Sequence, residues 1–348
     1  MNLTVTVHDP RVDPEPEGWP EFRAAQRLPV PWDYGLMGVE SAAARSPNLL
    51  AVVRRGARVV TAVAATIARP GLGRPDAPGP VGGPARWGPR WVEVHQPWLS
   101  GFPGWACAED LAPAARRQAL RAAERAVCRF VGVGCLGVLY RYVPPADAPL
   151  LAGAGRLVRP AAGTAVLDNA FGSVAEWISS LSRGRRHSIR GQIRKIAADP
   201  DLVVRFAPER DDLSGAELAG LLRRHRAKFG RVRFDWRSPV CPDYLHALVR
   251  RPDVVTGTYH DRAGRLLAFT VILDHPETPL HQHWAALAPH EGGRQHLYFD
   301  AFARVVGHMV EHGRRSVSSG RGLGEVKASL GFTLRPLCVV AAPRPVCG

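Results

Sequence analysis

At 348 residues the chain has room for two domains with cores of their own, and a hydrophobic fraction of 46% excludes wholesale disorder. Its net charge of +15 at pH 7 rests on 43 arginines and only three lysines, Lys195, Lys228 and Lys327. No run of 18 apolar residues occurs, the first residues lack the basic flank and apolar segment of a secretory leader, and the six cysteines form no C-x-x-C pair. A membrane span, a disulfide scaffold and a zinc knuckle are therefore not expected, and a cytoplasmic location is.

In chain order, LTVTV reads as a strand, and LLAVVRRGARVVTAVAATIA as two strands turning at RRGAR. Residues 69–90 follow, with 12 of 22 positions Gly or Pro, a composition that suits a long loop and no regular element. WVEVHQPWL predicts a strand, Leu111 to Phe130 a helix of strong helix formers, and GVGCLGVLYRYV a buried strand. A Pro/Ala/Gly stretch at 144–164 marks a boundary, so one domain is expected over 1–155 and a second over 156–348.

The second half opens on AVLD and a helix from Ser173 to about Ala198. Ile189, Ile193 and Ile196 form its apolar stripe, while Arg183, Arg186, Arg190 and Arg194 recur at helical spacing on another face, followed by Lys195. No acid lies between Glu176 and Asp199. SGAELAGLLRRHRAKFG predicts a helix ending in Arg223, Arg224, Arg226 and Lys228, with Arg231 and Arg233 beyond it. Within 177–237 there are 15 basic and 7 acidic side chains, more than half of the whole chain's excess. A concentration of that kind attracts polyanions, nucleic acid foremost, and the interleaved Phe229, Phe234 and Trp236 are suited to stacking on unpaired bases. A short helix at CPDYLHALVRR, a hairpin, a strand at LHQHWAAL, the helix HLYFDAFARVVGHMVEHG and a last strand LCVVAAP complete the chain.

The order of these elements, with SSLSRGRRHSIRGQIRKIA, RRHRAKFG, GRLLAFTVILD and a late lysine ahead of a Gly-Phe pair in VKASLGF, resembles the second domain of Fem-type transferases and the related GNAT acyltransferases over residues 171–336. The family block often reads Phe-Lys-x-Gly-Phe; here Ala328, Ser329 and Leu330 separate Lys327 from Gly331. The resemblance implies an α/β (α+β) fold of tandem GNAT-like domains, each a mixed central sheet flanked by helices. It also implies amide formation by transfer of an acyl group to an amine, with Lys327 as a cation at the reacting carbonyl.

Two donors fit that chemistry. Aminoacyl-tRNA needs a broad basic surface, which the residues named above supply. Acyl-CoA uses a strand-to-helix loop of the form R/Q-x-x-G-x-G/A, where this chain reads HEGGRQHLYF. The expected donor is therefore aminoacyl-tRNA, the acceptor a small-molecule or peptidoglycan-type precursor amine, with no separate cofactor. An acyl-CoA-dependent N-acyltransferase and a non-catalytic nucleic-acid-binding protein are the alternatives. Candidates for catalysis beside Lys327 are Glu325, two residues before it, Asp300 on the helix opening at His296, and His283. Ser318, Ser319, Arg321, Tyr298 and His281 are candidates for lining a substrate pocket. His281 and His283 form an H-x-H pair without a clear third ligand, so no metal is expected.

Overall fold

The computed structural model describes residues 2–43, 48–68, 89–99, 101–228 and 240–348. Most of the 69–90 stretch, and Phe229, Arg231, Arg233, Phe234 and Trp236, lie outside the described residues. The chain divides into two compact units: residues up to Gly163 with Pro336–Gly348, and residues from Thr164 to Arg335.

The first unit contains β1 (Leu3–His8), α1 (Trp19–Ala25), α2 (Tyr34–Ala43), β2 (Asn48–Arg55), β3 (Arg58–Ala68), β4 (Arg90–Val94), β5 (Trp105–Cys107), α3 (Pro113–Val131), β6 (Cys135–Val143) and α4 (Ala148–Leu151). Strand β7 (Leu157–Asp168) leads into the second unit, which holds α5 (Val174–Ser180), α6 (Arg183–Ala197), β8 (Leu202–Ala207), α7 (Gly215–Ala227), α8 (Pro242–Val249), β9 (Val254–Asp261), β10 (Leu266–Leu273), β11 (Leu280–Ala286), α9 (Leu297–Glu311), β12 (Ser316–Ser318) and α10 (Gly324–Ala328). Strand β13 (Thr333–Pro343) returns to the first unit.

Strand pairing within each unit is mixed. In the first unit β1-β2-β3-β4-β6-β13 lie in that order, antiparallel except for the parallel β4–β6 pair. In the second the order is β7-β12-β11-β10-β9-β8, with β11 and β12 parallel. Residues 336–348 thus differ from the sequence expectation, which left all of 156–348 in one domain. The cause is nonlocal: Cys338–Pro343 pair antiparallel with Gly137–Val143.

One expected helix is two. Ser173 caps α5 by accepting from Glu176 N, and Ser182 caps α6 by accepting from Arg185 N, with Leu181 extended between them. The break lets Trp177 and Leu181 enter the core while α6 presents Ile189 and Ile196 to it. Its arginines are left on the outside.

The segment after Lys327 closes α10. Phe332 N donates to Lys327 O at 3.1 Å and Gly331 N to Ala328 O at 3.0 Å, with Gly331 at φ 87°, a left-handed helix stop that favours glycine. Phe332 then enters the core, its ring 5.6 Å edge-on from Phe302. The Gly-Phe pair is accordingly the terminator of the helix that carries the lysine. Fully buried Trp177 fastens this turn, its Nε1 donating to Leu330 O at 3.0 Å. Trp177→Phe strands that carbonyl and is expected to lower the unfolding free energy by about 1–3 kcal/mol. Trp177→Ala adds a cavity and is expected to cost about 3–5 kcal/mol; urea titration of the full chain measures both.

Candidate active site

β11 and β12 meet at one register position, Leu280 opposite Ser318. Beyond it β11 stays with β10, whereas the chain after Ser318 stays with β7, through Ser319 N to Ala165 O and Ala165 N to Gly320 O, each 2.9 Å. Past that position the two parallel strands pair with different neighbours.

His281 links the two sides of this divergence. It is 7% exposed, with Nε2 2.7 Å from Thr270 Oγ1 and Nδ1 3.1 Å from Ser319 Oγ. Burial, aided by the nearby Lys327 charge, pushes its pKa down to about 3, so the ring is neutral. Thr270 went unnoticed in the sequence; its signal is a hydroxyl in the otherwise apolar strand LLAFTVIL.

His283 is the extra residue of a β-bulge: Thr270 pairs with Trp284 and Val271 with Gln282, leaving His283 between them at φ 49°. Burial also pushes its pKa down to about 3, with Arg226 of α7 contributing. A ring with that pKa is a weak base at neutral pH. The bulge turns Trp284 toward Tyr298, ring centroids 5.4 Å apart, and Tyr298 continues to Phe302 at 5.0 Å. Burial raises the Tyr298 hydroxyl to about 12.

Lys327 lies on the β12 side, 6% exposed, its Nζ donating to the carbonyls of Ser319 and Gly320. Burial lowers its pKa to about 8. The structure thus brings together Lys327, Ser319 and His281. Ser318 is next to them in the chain, 1% exposed, and its hydroxyl has no hydrogen-bond partner among the described residues. Arg321 is half-buried on the turn that follows.

Other candidates sit differently. Glu325 is exposed and makes no ion pair with Lys327. Asp300 is 2% exposed, and its Oδ2 accepts from Tyr259 OH at 2.8 Å and Arg304 Nε at 2.7 Å. That carboxylate is committed to a structural pair. Tyr298 makes edge-type ring contacts with Trp284, Phe299 and Phe302.

The basic residues form two groups. Arg183, Arg186, Arg190 and Arg194 line a surface depression of about 1080 Å³ floored by Ile178 and Ile193. Arg186 and Arg190 donate to Ser179 O and Oγ at 2.9 and 3.1 Å, and none of the four, nor exposed Lys195, pairs with a carboxylate among the described residues. The sequence pattern had not exposed Arg185, which stacks over Phe299 at 5.3 Å. On α7, Arg223 and Arg224 are exposed and Arg226 half-buried. Lys228 donates to Ala286 O at 2.6 Å, which anchors the end of α7 to the end of β11.

Residues 183–327 match the family model described as an acetyltransferase (GNAT) domain. The second unit carries a GNAT acyltransferase domain. The match spans the arginine face of α6, both histidines and Lys327. Among solved structures, the C-terminal domain of a protein described as a lysylphosphatidylglycerol synthetase from Agrobacterium fabrum superposes with a TM-score of 0.56 at 14% identity, over 91% of this chain and 88% of that one. L-PGS from Bacillus licheniformis gives 0.56 at 13%, over 94% and 92%. FemX gives 0.56 at 11%, over 92% and 95%. At these identities the likeness is one of fold. No curated protein matches the sequence significantly.

The three lysines make Lys327 directly observable. In an NMR pH titration of lysine-labelled protein, one side-chain resonance is expected to titrate near 8. That resonance should vanish in Lys327→Met; the absence of any lysine resonance titrating near 8 would show that the ammonium is not desolvated.

Proposed function

We propose that this GNAT-domain protein transfers an aminoacyl group from charged tRNA to an amine, forming an amide. The carrying observation is the row of arginines on α6, without carboxylate partners among the described residues and beside an apolar-floored depression. A cationic surface with no internal neutralisation suits phosphate, whose binding releases counterions. That three structural neighbours include FemX and two proteins named for lysylphosphatidylglycerol synthesis supports the reading through their fold.

In the reaction the amine nitrogen attacks the ester carbonyl, the C–O bond to the terminal ribose breaks, and the ribose oxygen takes a proton. The protein's part is orientation and charge. Lys327 uses Nζ–H groups on the Ser319 and Gly320 carbonyls, and its remaining N–H supports the developing oxyanion. A pKa of about 8 keeps it protonated at neutral pH. His281, neutral and bonded on both nitrogens, positions Ser319.

The match of 183–327 to an acetyltransferase domain favours a second reading, with acyl-CoA as donor. Equilibrium binding of charged tRNA, uncharged tRNA and acetyl-CoA across a salt series separates the two. The expected result is preference for charged tRNA with a steep salt dependence. Replacing Arg186, Arg190 and Arg194 together by Gln should flatten the log–log slope by about 2–3. With the right donor and acceptor, Lys327→Ala is expected to lower kcat by about 10²–10³-fold. Tight acetyl-CoA binding with weak RNA binding that ignores the ester would reverse the assignment.

A further inference from the structure

The second unit holds another cavity, of about 540 Å³, which Lys327, Ser319 and His281 do not line. Phe206, Val255 and Ile272 contribute to it from β8, β9 and β10, and Val174, Ile193 and Ala303 from α5, α6 and α9. Phe206 has room there because Gly257, opposite it in β9, has no side chain; a methyl group on Gly257 would collide with its ring. Ile272 pairs with His281 across β10 and β11, so one residue of the cavity borders the candidate active site.

Its polar groups come from α9 and from the end of β10. Asp274 has both oxygens engaged, Oδ1 lying 3.0 Å from His308 Nε2 and Oδ2 accepting from Arg314 Nη2 at 2.6 Å. Asp300 differs. It is 2% exposed, and Tyr259 and Arg304 both donate to its Oδ2, which leaves Oδ1 without a hydrogen bond among the described residues. Glu311 is exposed at the rim and makes no ion pair or side-chain hydrogen bond among the described residues. Its Oε1 would lie 3.7 Å from a methyl group placed on Gly307, so the carboxylate folds back along α9 over a position with no side chain. With the histidines counted neutral, Asp274, Asp300 and Glu311 line the cavity against one arginine, Arg304; Arg314, paired with Asp274, makes it three against two. In a chain of net charge +15 this is an acidic place, and a buried carboxylate oxygen without a donor calls for one.

We propose that this cavity is a second ligand site, which takes a primary ammonium carried on an apolar body. An ammonium has three N–H donors and no acceptor, the complement of the Asp300 Oδ1 and Glu311 oxygens. The hydrocarbon part packs on Phe206, Val255 and Ile272. A carboxylate or phosphate ligand would meet like charge at the polar end, and a neutral hydroxyl would make bonds about half as strong as those of a cation. A cavity of this size, apolar over most of its surface with a few polar groups at one end, suits a small organic molecule. The site is independent of the transfer reaction proposed above and needs none of its residues.

The test is calorimetric titration of the full chain, at about pH 8 to keep exposed histidines neutral, with phenethylammonium, phenethyl alcohol and hydrocinnamate. The ammonium is expected to bind at least about tenfold more tightly than the alcohol, and hydrocinnamate not at all. Ala303→Leu, which fills the cavity, should weaken the ammonium at least about tenfold, and Glu311→Gln, at the exposed rim where folding is not at stake, at least about threefold. Lys327→Met should leave its affinity within about twofold; circular dichroism checks that each variant is folded. Absence of ammonium binding up to about 10 mM, equal binding of the alcohol, or preference for hydrocinnamate would each overturn the site. So would wild-type affinity in Glu311→Gln, and loss of binding in Lys327→Met would move the amine to the candidate active site instead.

Discussion

β11 and β12 share a single ladder position, and the chemistry available to the second unit follows from how their separation beyond it is maintained. Parted strands leave backbone groups that need other partners. Here β7 takes the amide of Ser319 and the carbonyl of Gly320, while Lys327 adds its ammonium to the carbonyls of Ser319 and Gly320. On the opposite side His281 links Thr270 to the Ser319 hydroxyl. Ser319 is thereby held from both sides, by Lys327 on its carbonyl and by His281 on its hydroxyl.

The same arrangement explains why a lysine occupies this place in a chain that otherwise uses arginine. A compact ammonium on a flexible stem fits between two carbonyls of adjacent residues, and its point charge has a proton to lose when desolvated. An arginine fork would need a wider site and would stay charged. α10 is only five residues long, and its length is set by Gly331 behind it and by Trp177 across from it, so the lysine's position depends on residues that touch no ligand.

Much of the element order was legible because apolar runs and helix formers are local signals. Where legibility failed, the deciding contacts were remote or subtle. The break between α5 and α6 turns on Ser182, a residue equally at home inside a helix, and on Leu181 being drawn toward the core. The return of β13 to the first unit depends on pairing with β6, some two hundred residues away in sequence. In the site, the lysine and the H-x-H pair stood out by residue type. Thr270 did not, since its partnership with His281 depends on which residues face each other across two strands. Asp300 read as a candidate base because helix spacing reveals Arg304 but hides Tyr259, which arrives from β9. Cys128 and Cys135, which form no recognisable sequence motif, come to 3.6 Å because α3 and β6 pack together.

The arginine face of α6 has a consequence for kinetics. An arginine guanidinium is planar, delocalised and always charged in proteins, so contacts made through it carry no acid–base signature. The buried ammonium at the strand divergence is the opposite case, a charge that is lost only slightly above neutrality. In the proposed reaction, capture of the anionic donor would fall to one kind of cation and the bond-making step to another, the first insensitive to proton concentration and the second responsive to it. An alkaline decline in turnover at constant donor affinity is the signature such a division of labour leaves.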